Sequence, residues 1–88
     1  MKIVLTKHFS KIFHKNISDK YLQNQFWITV EIFKNDPFDA RLKTHKLTGK
    51  LSDLWSFSVS YDIRVIFYFS EDNSEAVFVD IGTHNQVY

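Results

Sequence analysis

Apolar residues recur at two different periods along this chain, helical in the N-terminal part and alternating in the C-terminal part. Ile3, Val4 and Leu5 read as a short strand. Thr6 can cap a helix whose apolar face is Phe9, Ile12 and Phe13, spaced i, i+3, i+4. Asn16 breaks that helix. Ser18 or Asp19 caps a second one, running to about Lys34. Leu22, Phe26, Val30 and Phe33 form its stripe, and Trp27, Ile28 and Ile32 widen it. Asn35-Asp36-Pro37 stops it, because the residue before proline is pushed out of the helical region and proline has no N–H to continue the ladder.

Residues 38–53 hold basic and turn-forming residues, including Gly49, and read as a connector with a short helical turn near Asp39–Lys43. From Leu54 the period becomes two. Trp55, Phe57 and Val59 alternate with serines. Ile63, Val65, Phe67 and Phe69 then alternate with Arg64, Ile66 and Tyr68. Glu71-Asp72-Asn73-Ser74 is a turn signal, followed by a strand with Val77, Val79 and Ile81 on one face and Ala76, Phe78 and Asp80 on the other, ended by Gly82. A slip of one residue would send a strand's whole apolar set to the wrong side, so burial fixes register. Pairing Phe57 with Val65 and Val59 with Ile63 leaves Ser60-Tyr61-Asp62 as the loop and sets Ser58 opposite Arg64 and Ser56 opposite Ile66. Matching Val65 with Val79 brings Asp80 near Arg64, where the two can form a cross-strand ion pair. The order strand, helix, helix, three-stranded meander predicts an α+β domain over residues 1–88, with an N-terminal strand and both helices packed on one face of a largely antiparallel sheet. The other face is mixed, carrying Ser56, Ser58, Arg64, Tyr68 and Asp80.

Composition supports a core despite the small size. Nine Phe, four Tyr and two Trp stand among 88 residues, and each aromatic buries about 150–250 Å². The absence of cysteine excludes disulfides and thiolate metal sites and fits a reducing compartment. No apolar run is long enough to span a membrane, and the N-terminal Ile-Val-Leu stretch is too short for a signal peptide, so a cytoplasmic location is expected. A formal net charge of +1 says nothing of nucleic acid. Its distribution says more: Arg41, Lys43, Lys46 and Lys50 lie close together with no acid among them, which suits phosphate contact or a solvated basic loop.

Of the four histidines, His8 and His14 sit among lysines of the first helix and read as surface residues. His45 lies in the basic connector and His84 just past the last strand. No HxH or HExxH pair, GxSxG elbow or glycine-rich phosphate loop is present, so no metal or cofactor is expected. One chemistry needs neither metal nor protein nucleophile, because RNA carries its own attacking 2′-OH. It requires a base, a cation at the phosphorane and an acid for the leaving 5′-oxygen. Histidine suits both proton transfers because its unperturbed pKa of about 6.5 lies near working pH. An arginine fork matches phosphate oxygens, and an aromatic ring can hold an unstacked base. His45, Arg64, His84 and Tyr88 offer that set.

His45-Lys46-Leu47-Thr48-Gly49-Lys50-Leu51, then Leu54-Trp55-Ser56-Phe57-Ser58-Val59, Arg64-Val65-Ile66-Phe67 and Asp80-Ile81-Gly82-Thr83-His84-Asn85-Gln86-Val87-Tyr88 together resemble the RelE/ParE toxin superfamily, and within it the YafQ and YoeB branches. The resemblance covers residues 36–88, while the N-terminal helices match in size and order only. It implies the RelE-like fold and cleavage of mRNA in the ribosomal A site. It also implies a cognate antitoxin that blocks the toxin, operator DNA being bound only through that antitoxin. His45 then stands where the YafQ branch has a catalytic histidine and YoeB a glutamate general base. Arg64 matches a phosphate-binding arginine, His84 the general acid, Tyr88 the aromatic that stacks on the substrate base, and Asp62 a functional aspartate of the YafQ branch. Lys46 and Lys50 are phosphate contacts on charge grounds alone, and Ser56 and Ser58 would face the RNA. Ser56 and Ser58 stand where several relatives carry basic or histidine residues, which makes the site less cationic than in RelE. Two other readings share the fold. One is a ParE-like toxin acting on DNA gyrase without nuclease chemistry. The other is a catalytically weak member acting mainly by binding its antitoxin.

Overall fold

The computed structural model describes residues 1–88. It contains a strand β1 (Lys2–Leu5), helices α1 (Lys7–Asn16) and α2 (Lys20–Asn35), a two-residue strand β2 (His45–Lys46), strands β3 (Trp55–Ser58), β4 (Ile63–Phe69) and β5 (Glu75–Thr83), and a final helix α3 (His84–Val87). Two 3₁₀ turns, Ala40–Leu42 and Gly49–Leu51, flank β2. The sheet order is β1-β5-β4-β3-β2, antiparallel except where β1 runs parallel to β5. No helix is long and apolar enough to cross a membrane.

The helices begin where capping chemistry demands. Thr6 accepts the Phe9 N–H at 3.0 Å and Asp19 the Tyr21 N–H at 2.7 Å, each satisfying an amide that has no partner inside its helix. Phe9 and Phe13 of α1 and Phe26, Val30 and Phe33 of α2 pack onto Phe57, Val65, Phe67, Phe78 and Ile81 of the sheet. The Phe78 ring lies at the centre, with the rings of Phe9, Phe33 and Phe57 at 5.8, 5.5 and 5.4 Å between centroids. Aromatic pairs at such spacing add about 0.5–1.5 kcal/mol beyond area burial.

Three features depart from the sequence pattern and one follows it. Trp27 and Ile28 do not widen the core stripe; both are exposed, since α2 turns a narrower arc to the sheet than its apolar content suggests. The β3–β4 pairing is the one the pattern dictates, with Phe57 opposite Val65 and Ser58 opposite Arg64. The β4–β5 pairing is displaced: Val65 faces Ile81, Arg64 faces Gly82 and Asp80 faces Ile66. The cause is an irregularity after Ile66, where Ile66 pairs with Asp80 but Phe67 pairs with Phe78, leaving Val79 as an extra residue. The bulge breaks strict alternation, so Ala76, Phe78 and Ile81 all reach the core while Val77 and Val79 are half-buried. Asp80 therefore makes no ion pair with Arg64; its carboxylate accepts the adjacent Ile81 N–H at 2.9 Å. Finally, β2 and α3 form within segments that carry no periodic apolar signal, and the last strand runs on through Gly82 to Thr83.

Candidate active site

The sheet face turned away from α1 and α2 gathers the polar residues of the meander in two cross-strand rows. One row runs His45, Ser56, Ile66, Asp80, and the next holds Ser58, Arg64 and Gly82. Partners in a row share a face, and residues two apart on a strand do too. His45 and Arg64 are thus carried on the same side of the sheet in neighbouring rows.

The C-terminal helix docks onto that side. Gly82, Thr83 and His84 each have a separate reason to be there. A Cβ on Gly82 would stand 2.6 Å from Gln86 Oε1 and 2.9 Å from Gln86 Cβ, so only glycine lets the helix fold back this closely. Thr83 caps the helix in a reciprocal box: the Gln86 N–H donates to Thr83 Oγ1, and the Thr83 N–H donates to Gln86 Oε1. His84 follows as the first helical residue. Its ring lies edge-on to that of Tyr88, 4.5 Å between centroids. The Tyr88 hydroxyl donates to Ser56 Oγ at 2.8 Å, and the Tyr88 N–H to the His84 carbonyl at 3.0 Å. Tyr88 is therefore pinned at both ends rather than frayed.

His45 is oriented from the other side. Its Nδ1 lies 2.9 Å from the Lys43 carbonyl oxygen. A carbonyl can only accept, so Nδ1 carries the proton and Nε2 keeps its lone pair in the neutral ring. Lys43 holds this carbonyl in place from a left-handed conformation, φ 53°, which costs a residue with a Cβ about 1–2 kcal/mol.

Arg64 uses one nitrogen, Nη1, to donate to the carbonyl oxygens of Ser60 and Tyr61, each at 3.1 Å, with the Ile63 carbonyl oxygen at 3.4 Å. That clips the β3–β4 turn and leaves the rest of the guanidinium without a protein acceptor. The turn closes one side of a cleft of about 460 Å³, lined by Arg41, Lys43, Ser58, Val59, Ser60, Tyr61, Asp62 and Arg64. Arg41 is held in the cleft wall by Asp39, with Nε and Nη2 donating at 3.0 and 2.8 Å. The guanidinium's hydrogen bonds, with the Arg41 N–H adding to them, lower the Asp39 pKa from 3.8 to about 2. In return, that carboxylate raises the pKa of Arg41.

Of the residues singled out in the sequence, Ser58, Asp62 and Arg64 come together at the cleft, and His84 and Tyr88 come together over Ser56. His45 is next to Ser56 by strand pairing. Lys46 pairs with Trp55, so its side chain leaves the sheet on the face opposite to His45, and Lys50 lies exposed in the second 3₁₀ turn. No three His, Cys, Asp or Glu side chains gather as a metal-ligand set. Trp55 packs on Phe38, Phe69 and the core. Ser56 is a correction: it is fully buried beneath Tyr88 and offers no surface to a ligand. The sequence pattern gives no part to Tyr61 and marks Lys43 only as charge. A small polar residue in a row of large apolar ones is the available signal for Ser56. Nothing in the sequence marks the Lys43 carbonyl.

The profile of a family described as "Bacterial toxin of type II toxin-antitoxin system, YafQ" matches residues 1–88. Among solved structures, the chain is similar to a copper-bound mutant toxin from Helicobacter pylori, at 24% identity and TM-score 0.72, covering 100% of this chain and 99% of that one. It is similar to a YoeB/ParE toxin from Agrobacterium tumefaciens at 19% identity and TM-score 0.73, covering 96% and 99%. A chain of the E. coli DinJ–YafQ complex matches at 22% identity and TM-score 0.67, covering 99% and 97%. At these identities the structural likeness speaks for the fold. The comparison with curated proteins gives no match.

Proposed function

The chain belongs to the YafQ family of bacterial toxins of type II toxin–antitoxin systems, and from that premise we propose that it is a ribosome-dependent endoribonuclease cleaving mRNA without a metal ion. The observation that carries this reading is the set of His45, Arg64 and the α3 residue His84 on one side of the sheet, the side the core does not use. His45 Nε2, left basic by the Nδ1–H bond to Lys43, takes the proton of the RNA 2′-OH. The oxygen then attacks the adjacent phosphorus. Arg64, with donors to spare, stabilises the charge that grows on the phosphoryl oxygens. His84 protonates the departing 5′-oxygen, which leaves a 2′,3′-cyclic phosphate. Tyr88 holds a substrate base beside His84, and its anchor on Ser56 keeps both rings in register with the sheet. Asp62 and Ser58, at the cleft, contribute acceptors to the ribose side, and Lys50 adds long-range attraction for the RNA backbone. Lys46, on the far face, has the weakest claim to a part in binding RNA.

The partners follow from the class. A cognate antitoxin silences the toxin and alone contacts operator DNA; the E. coli relative was solved in a DinJ–YafQ complex. The ribosome supplies the mRNA, which sets the site of action in the cytoplasm. Primer extension on a reporter transcript after induction is the direct test. The expected result is cleavage within translated codons, lost by about 10²–10⁴-fold in His84→Ala, the range of a general acid–base step. That variant should keep antitoxin binding. Intact transcripts accompanied by DNA damage would overturn the proposal in favour of a gyrase poison, and full toxicity in His84→Ala would remove the general acid.

A further inference from the structure

Tyr61 is 96% exposed, although a ring of that size normally finds cover. It stands on the rim of the cleft, at the tip of a turn that is otherwise held firmly. Its carbonyl accepts from Arg64 Nη1 at 3.1 Å, so the guanidinium in the phosphate-binding role also fixes where the ring is presented. Lys43 also lines this space, and its carbonyl orients His45. Three cations line this space against the one carboxylate of Asp62, and with Arg41 already engaged by Asp39, Lys43 and Arg64 are the free positive charges.

We propose that this cleft is a nucleotide subsite, taking the nucleotide on the 5′ side of the cleaved bond, with Tyr61 stacked on its base and Lys43 and Arg64 flanking its phosphates. The polarity follows from proton bookkeeping and rests on the ribonuclease reading. The nucleotide that gives up its 2′-proton lies next to the base, His45, and the cleft is tied to His45 through Lys43. The opposite flank belongs to His84 and Tyr88 on α3. A cleft of about 460 Å³ with an aromatic rim and cationic walls suits a base and its phosphate. The Asp62 carboxylate is unsuited to phosphate but can accept from a ribose hydroxyl or a base amino group.

The test is a cycle on ribosomes programmed with mRNA carrying 2′-deoxyribose at the cleavage position, so that binding is read without turnover. Tyr61→Ala should weaken binding by about 5- to 150-fold, the range of a base–aromatic stack, and Tyr61→Phe should restore it. Replacing the base at that position with an abasic residue should cost the natural protein the same factor and cost Tyr61→Ala almost nothing. With cleavable mRNA at subsaturating toxin, Tyr61→Ala should cut more slowly by a similar factor. An abasic penalty of equal size in both proteins would overturn the subsite while leaving the ribonuclease intact. Natural protein that neither binds programmed ribosomes nor cleaves would overturn both.

Discussion

The two faces of this sheet are built by opposite means. On the helix side, phenylalanine rings interlock: Phe78 alone meets five other phenylalanines. On the other side, function-bearing groups are held by one or a few hydrogen bonds each. Tyr88 rests on Ser56 Oγ, His45 on the Lys43 carbonyl, and Arg64 on two turn carbonyls. Packing spreads a loss over many contacts, whereas a lone hydrogen bond concentrates it in one atom. The helix side should therefore govern whether the chain folds, and the other side whether the folded chain works.

The sharpest way to break that division is to substitute on each side and read stability and cleavage together. Phe78→Ala removes the ring at the centre of the core and should cost about 3–5 kcal/mol, the usual penalty for a buried phenylalanine. For a domain stabilised by roughly 5–15 kcal/mol in all, the urea midpoint should fall steeply and activity should fall with it. A loss below about 1 kcal/mol would mean the core is not the single interlocked unit described. Gly82→Ala is the counterpart on the other face. The new Cβ meets Gln86 Cβ at 2.9 Å, so α3 must shift and carry His84 with it. A misplacement of about 1 Å can cost roughly 10²-fold in rate. Cleavage should fall by about that factor while the midpoint moves little, and unchanged cleavage would show that the fit of α3 to the sheet does not matter.

The same contrast explains what can be read from the sequence. The helix side is periodic, so Phe9, Phe13, Phe26, Phe33, Phe57, Val65 and Phe67 are legible as core from their spacing alone. The register of β3 on β4 follows from the need to keep apolar faces together. The β5 register does not, because a bulge is a backbone event and leaves no periodic trace; Val79 looks like any strand valine. On the other face, residue chemistry and family likeness single out His45, Arg64 and His84. Their supports are harder to read: a carbonyl from a left-handed lysine and a two-residue strand have no residue-type signature, and the buried serine shows only as a small polar residue among large apolar ones. Ser56 is the instructive case: in the sequence it looks like a lost cation, and in the fold it is the post on which Tyr88 stands.

Ser56→Ala and Tyr88→Phe each delete the same hydrogen bond, and the Tyr88 hydroxyl, close to solvent, can turn to water. A hydrogen bond of this kind is worth about 0.5–1.5 kcal/mol net, so each variant should lose about 2- to 10-fold in cleavage. The double variant should lose no more than either alone, which distinguishes a shared contact from two separate weakenings. Additive losses would separate the two residues and leave α3 held by Gln86 and Gly82.

The smallest effect is expected at the cleft wall, where Asp39 fastens Arg41. Both side chains are solvent-exposed enough for screening to limit the pair. The sign is nonetheless fixed. Asp39 titrates at about 2 in the folded protein against an ordinary 3.8, so the folded state binds its proton less readily. Its contribution is complete above the ordinary value and is lost as pH falls through about 2. Asp39→Asn keeps an acceptor for the Arg41 N–H but cannot ionise. The gap in melting temperature between natural protein and Asp39→Asn should be small and constant near neutral pH, then close as the pH drops from 3.8 to about 2. A gap that stays open in acid would assign the difference to the hydrogen bonds alone. A gap that closes would show that the cleft wall holds Arg41 by charge.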